Sequence, residues 1–226
     1  MFRYALGKIG CAWAAWSDVL YPPHCLCCFQ SIDWAHCLLC KRCWCAIEDN
    51  EPTIGGQSDM GWACSVAWGA FEGPLREAIH ALKFGGKRRL GRALGHRMAR
   101  ALTDQSLCLD GLVALPLHAA RQRERGYNQS ADIAQGLAEG LGIPVLHGWV
   151  KRTRQTRQQA HLPAEKRRAN MRAAFVWRAA PPGNKWGLVD DVLTTGATMA
   201  SCIEALPPGI GQLVPIVLAH AERDVS

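Results

Sequence analysis

No stretch of this chain holds the roughly 20 consecutive apolar residues that a bilayer-spanning helix requires. The segment that comes nearest, MFRYALGKIGCAWAAWSDVL at 1–20, is broken by Lys8 and Asp18. It reads as an amphipathic surface helix rather than a signal peptide. Internal repeats and low-complexity tracts are missing too, which argues against solenoids and repetitive arrays. Beyond Cys45 cysteine is scarce: only Cys64, Cys108 and Cys202 follow, while eight of the eleven lie between Cys11 and Cys45. So uneven a distribution argues against a disulfide scaffold and for a local metal site in a reducing, cytoplasmic compartment. Acidic residues are in deficit, nineteen against twenty-six Lys and Arg, and the resulting charge of +7 favours anionic partners, phosphates or nucleic acid, without choosing between them. The rest is ordinary globular composition: 226 residues, 49% hydrophobic and 20% charged, enough for one α/β core and a small appendage.

Within the cysteine-rich region Cys25 and Cys28 form one C-x-x-C and Cys40 and Cys43 another, with eleven residues between the pairs. Two such pairs have the spacing of zinc knuckles that close one tetrahedral site. Cys37 and Cys40 repeat the same spacing, and Cys27 and Cys45 compete, so the register stays open. Four soft sulfurs select zinc over calcium or magnesium, and a closed four-sulfur site leaves no position for water, which makes the expected zinc structural. Trp44, beside Cys43, is expected to pack the knuckle.

The polar stretch EDNEPTIGGQSDMG at 48–61 reads as a linker. It divides an N-terminal helix and cysteine element, 1–57, from a main domain, 58–226. GPLREAIHALK at 73–83 spaces Leu75, Ile79 and Leu82 at helical intervals, and a second helix is expected over 90–102. LVALP at 112–116 reads as a buried strand, HAARQRERGYNQ at 118–129 as a polar segment, and SADIAQGLAEGLG at 130–142 as a helix that stops at Gly142. Further strands are expected in 143–150, 173–177, 185–190 and 213–220, with a helix after Thr198. Strands alternating with helices point to an α/β fold with a mainly parallel sheet flanked by helices.

One stretch carries chemistry. In LVDDVLTTGAT, 188–198, an apolar run ends in Asp190 and Asp191, and two adjacent carboxylates are costly to desolvate unless something polar or cationic holds them. At the carboxyl tip of a strand they would stand where open α/β sheets bind ligands. Thr194, Thr195, Gly196, Ala197 and Thr198 then lead into a helix, so backbone N–H groups, hydroxyls and the helix dipole converge as they do on a phosphate. Gly196 supplies the unusual torsions of such a turn. Carboxylates beside a phosphate cradle suit the hydroxyls of the same ligand, and a ribose carrying a 5-phosphate fits both halves.

LVDDVLTTGAT resembles the phosphoribosyl pyrophosphate (PRPP) motif of type I phosphoribosyltransferases. The resemblance implies that Asp190 and Asp191 hold the ribose hydroxyls, as the catalytic pair, and that 194–198 holds the 5-phosphate. LKFGGKRRLGRAL at 82–94, RERGYNQSADIA at 123–134 and RQTRQQAHLPAEKRRANMRAAF at 154–175 are together similar to the ComF/GntX family of competence-related proteins. That family also carries a paired C-x-x-C element ahead of a phosphoribosyltransferase-like domain. The resemblance runs from about residue 20 onward and implies a type I phosphoribosyltransferase-like fold, PRPP with Mg²⁺, and a role in DNA uptake and natural transformation. Pyrophosphate would meet Arg123 and Arg125, with Leu117, His118 and Arg121 in a loop that departs from the family's small and basic pattern. His118 is open between a ligand and a solvated loop residue, and Asn128 between a ligand and a helix cap.

The basic run from Lys151 to Arg172 contains a single acid, Glu165. It is open between a solvated face, a flap that closes over the ligand, and a track for a single-stranded phosphate backbone. The competing function is a non-catalytic accessory protein with a vestigial or sensory PRPP site that binds single-stranded DNA, or a scaffold for a helicase or other DNA-processing protein. No motif selects the acceptor of a transferred ribose.

Overall fold

The computed structural model describes residues 23–32, 38–56, 62–103, 105, 107–153, 174–179, 181–207 and 211–221. The expected N-terminal helix, Cys37, the boundary near 58 and the basic run beyond Thr153 lie outside the described residues. In chain order the elements are α1 (Lys41–Glu48), β1 (Thr53–Gly55), β2 (Ser65–Ala70), α2 (Gly73–Phe84), α3 (Arg88–Leu102), β3 (Gly111–Ala114), α4 (Ala119–Arg125) and α5 (Gln129–Leu141). They continue as β4 (Val150–Arg152), β5 (Phe175–Trp177), β6 (Lys185–Leu193), α6 (Ala197–Glu204) and β7 (Gln212–His220).

Five strands form one sheet in the order β1-β2-β7-β6-β3. β2, β7, β6 and β3 run parallel, while β1 is an antiparallel edge strand inside the stretch read as a linker. β7 is buried on both faces from Leu213 to Ala219, which is why it reads as a continuous apolar run rather than an alternation. The side chains of β6 sort to two cores: Val189 joins a cluster with Leu75, Ile79, Leu94 and Ile133 of α2, α3 and α5, and Leu188 joins Phe175, Trp177, Met199 and Cys202. Helices thus cover one face, and α6 with the antiparallel β4–β5 pair covers the other.

Three expectations change in detail. The polar segment after β3 forms a helix, α4, which ends at Gly126 in the left-handed region, φ 76°. The strand expected over 143–150 divides into a single bridge from Val145 to Leu112 and the short β4. The strand expected over 173–177 pairs with β4, outside the main sheet. α3 and α5 pack closely because glycines stand at their crossing: a Cβ added at Gly136 would lie 1.9 Å from the Arg92 carbonyl oxygen, and one at Gly95 2.1 Å from that of Ile133. Arg88–Asp132 and Arg92–Glu139 ion pairs flank that contact.

Candidate functional site

β6 carries Asp190 and Asp191 to the carboxyl end of the parallel sheet, beside the start of α6. Asp191, 4% exposed, is held from two helices: Lys83 Nζ of α2 lies 3.1 Å from Oδ1, and Gln129 Nε2 of α5 donates to Oδ2 at 3.0 Å. Asp190 is half-buried, and its Oδ1 accepts from Ser130 Oγ at 2.7 Å and from the Asp191 backbone N–H at 2.9 Å. Burial, with the neighbouring Asp191 charge second, pushes the Asp190 carboxyl up to about 7. Each carboxylate oxygen has lone pairs beyond these bonds, so both groups can still accept from a ligand's hydroxyls.

The aspartates form one wall of a cleft of ≈ 800 Å³ that is also lined by Lys83, Arg121, Arg125, Arg152 and Thr198. Four cations against two aspartates and Glu124 give its floor and rim a balance that suits a polyanion with hydroxyls. Burial lowers the basicity of Arg152, and its guanidinium stands 5.4 Å over the Phe175 ring.

Residues 192–199 with Asp190 enclose an adjoining recess of ≈ 50 Å³. Gly196 caps α6 with φ 71°, and a Cβ there would lie 2.8 Å from the Trp62 ring, so both torsion and space demand glycine. The first-turn N–H groups of α6 have no carbonyl within the helix to accept them.

The structure thus brings Asp190, Asp191, Thr194, Thr195, Gly196, Ala197, Thr198 and Arg125 to one place. Arg123 is exposed on α4 and is not among the residues lining the cleft. Asn128 caps α5, its Oδ1 accepting from Ser130 N at 3.2 Å while its Nδ2 donates to the Leu115 carbonyl at 3.0 Å. His118 caps α4 through Nδ1, which accepts from Ala120 N at 3.2 Å. Lys83, Gln129 and Ser130 hold the aspartates without having been singled out as site residues from sequence.

The cysteine element forms a second centre. The sulfurs of Cys25, Cys28, Cys40 and Cys43 all lie within 4.8 Å of one another, and Cys28 and Cys40 are 3.7 Å apart. An ion with Zn–S bonds of about 2.3 Å holds its tetrahedral sulfurs roughly 3.8 Å apart. The four could therefore hold a metal such as zinc. A hydrogen bond from the Gln30 backbone holds the Cys28 thiol down to about 6, while burial pushes the Cys43 thiol up. Cys27 stands aside: its Sγ lies outside the four-sulfur cluster and donates to the Pro74 carbonyl at 3.3 Å. Cys45 is exposed on α1.

No family model matches the chain. A DNA utilization protein YhgH of Salmonella typhi is 31% identical over 192 residues, which cover 76% of this chain and 84% of the relative. The protein of the same name from Escherichia coli strain K12 is 32% identical over 176 residues, 74% of this chain and 77% of the relative. A competence protein F of Haemophilus influenzae is 34% identical over 151 residues, 63% of this chain and 66% of the relative.

Proposed function

This chain belongs to the ComF family, and on that premise we propose that it binds PRPP with Mg²⁺ in a role tied to the use of incoming DNA. The observation that carries the reading is the juxtaposition at the end of β6: two carboxylates, a glycine-turned recess at a helix start, and a facing set of cations. In this reading Asp190 and Asp191 accept from the ribose 2- and 3-hydroxyls. The turn 194–198 receives the 5-phosphate, and Arg121, Arg125 and Arg152 face the pyrophosphate. Lys83 holds Asp191 in place.

A transfer at this site breaks the bond from ribose C1 to the pyrophosphate oxygen, the electron pair leaving with pyrophosphate, and forms a bond from C1 to the lone pair of a nucleophilic acceptor, through a cation-like transition state. The arginines stabilise the charge that gathers on the leaving group, while the carboxylates fix the ring through its hydroxyls. Mg²⁺ bound with PRPP supplies further neutralisation of the pyrophosphate. Zinc held by Cys25, Cys28, Cys40 and Cys43 is structural, since four thiolates complete its shell.

Support for the DNA role comes from the relatives' names, DNA utilization protein and competence protein F. Support for the PRPP site comes from geometry. Calorimetric titration of the full chain with PRPP and Mg²⁺ is the test, with Asp190→Asn and Asp191→Asn in parallel. Saturable binding is expected in the wild type and at least about tenfold weaker binding in each variant, about 1.4 kcal/mol. A wild type that binds no PRPP sinks the reading and moves the function to direct contacts with DNA or protein.

A further inference from the structure

Phe84 ends α2 with 76% of its surface exposed, although an aromatic ring gains most from burial. His80, one turn back, stacks on it with ring centroids 6.1 Å apart at 30°. Phe71 lies 5.8 Å from His80, so three rings form a row. Cations are interleaved with them: the Arg125 guanidinium stands 5.5 Å over the Phe84 ring, and Lys83 Nζ stands 5.9 Å over Phe71. His80, Lys83, Phe84 and Arg125 all line the cleft that holds the aspartates, and Lys83, next to Phe84 along the chain, forms an ion pair with Asp191.

Each feature narrows the occupant. An inorganic anion would use the cations and leave the rings idle, and an apolar peptide would use the rings and strand the cations. A planar heterocycle joined to a sugar phosphate uses both, because bases stack on aromatic faces whatever their identity while arginine and lysine take the phosphates.

We propose that Phe84, backed by His80, is the stacking platform for a nucleobase whose sugar and phosphate lie in the same cleft. The position of the sugar rests on the ribose-phosphate reading above; the ring beside it is the addition. Two sources share this chemistry, a free nucleoside 5′-monophosphate and a nucleotide of a single DNA strand.

The test compares wild type, Phe84→Ala and Phe84→Tyr as full chains. Each is titrated calorimetrically with adenosine and uridine 5′-monophosphates and with oligothymidylate. Ribose 5-phosphate, PRPP and an abasic oligonucleotide serve as base-free counterparts. Stacking on one aromatic is expected to make Phe84→Ala roughly 5- to 100-fold weaker for base-bearing ligands, with Phe84→Tyr near wild type and base-free ligands unchanged. A loss confined to the monophosphates identifies the free nucleotide, and one confined to oligothymidylate identifies the strand. Wild type that binds no base-bearing ligand, unchanged affinity in Phe84→Ala, or an equal loss for base-free ligands overturns the platform. Phe84-dependent binding in a wild type that ignores PRPP supports the platform while removing the ribose-phosphate reading. Phe84 is exposed, so its truncation takes little from the core.

Discussion

Asp190 accepts two hydrogen bonds, yet its carboxyl holds its proton up to about 7, because burial beside the charge of Asp191 outweighs them. Folding therefore favours its protonated form. That contribution is fully present below the ordinary carboxylate value near 4 and is lost as pH rises through about 7. Between pH 6 and 8 the wild type is expected to lose about 1 kcal/mol relative to Asp190→Asn, roughly 2–4 °C in Tm. Ligand affinity is expected to move the other way, rising with pH as the ionised carboxylate becomes available to the ribose hydroxyls. Thermal melts and titrations across that range check both slopes, and a pH-independent difference in Tm would sink the account. The aspartates themselves were legible in the sequence, since two carboxylates at the end of an apolar run demand a ligand or a cation. Which cation was not legible: Lys83 is one of twenty-six basic residues, Gln129 lies 62 positions from Asp191, and only the fold brings them together.

α3 and α5 illustrate how an element pair can depend on a missing methyl. Gly136→Ala would gain up to about 1 kcal/mol of helix propensity, but its Cβ would meet the Arg92 backbone carbonyl at 1.9 Å. Backbone cannot yield as a side chain can, so overpacking of about 1–3 kcal/mol is expected to win, lowering Tm by several degrees. Gly91→Ala is the contrasting case, with Leu82 and Asp132 side-chain atoms at 3.0–3.1 Å, and is expected to change Tm little. Thermal melts of both variants test the distinction, and equal shifts would count against it. The long buried strands and amphipathic helices were readable because their apolar spacing is set by burial: Leu75, Ile79 and Leu82 are all buried. β1 was not readable. Three residues, two of them exposed, carry no alternation, and only pairing with β2 makes them a strand. α4 has no buried residue, so its helix leaves no apolar period in the sequence either.

At the scale of the whole molecule the cysteine element shares its core with the α/β layer. Cys25, Leu39, Cys43 and Ile47 belong to the same cluster as Trp68, Leu75 and Leu94, and Arg97 of α3 stacks 4.0 Å over Trp44 and pairs with Glu48. Loss of a bound metal should therefore be felt beyond the knuckle. Cys40→Ser and Cys43→Ser are each expected to remove one equivalent of zinc and to lower Tm by roughly 10 °C, from a loss of about 4–5 kcal/mol at 2–4 °C per kcal/mol. Elemental analysis with a thermal melt decides it, and a wild type free of metal with unchanged stability in chelator would remove the zinc. Spacing pointed to the four cysteines that the fold gathers, while Cys27, equally eligible by spacing, is set apart only in three dimensions by its contact with Pro74. The strand order has a consequence for synthesis. β7, last of the described strands, inserts between β2 and β6, so the nascent sheet is in two unjoined halves until residues 212–220 arrive. Until then the unjoined edges stay open and sticky, and a messenger truncated just before β7 would yield a product that cannot close its core at all.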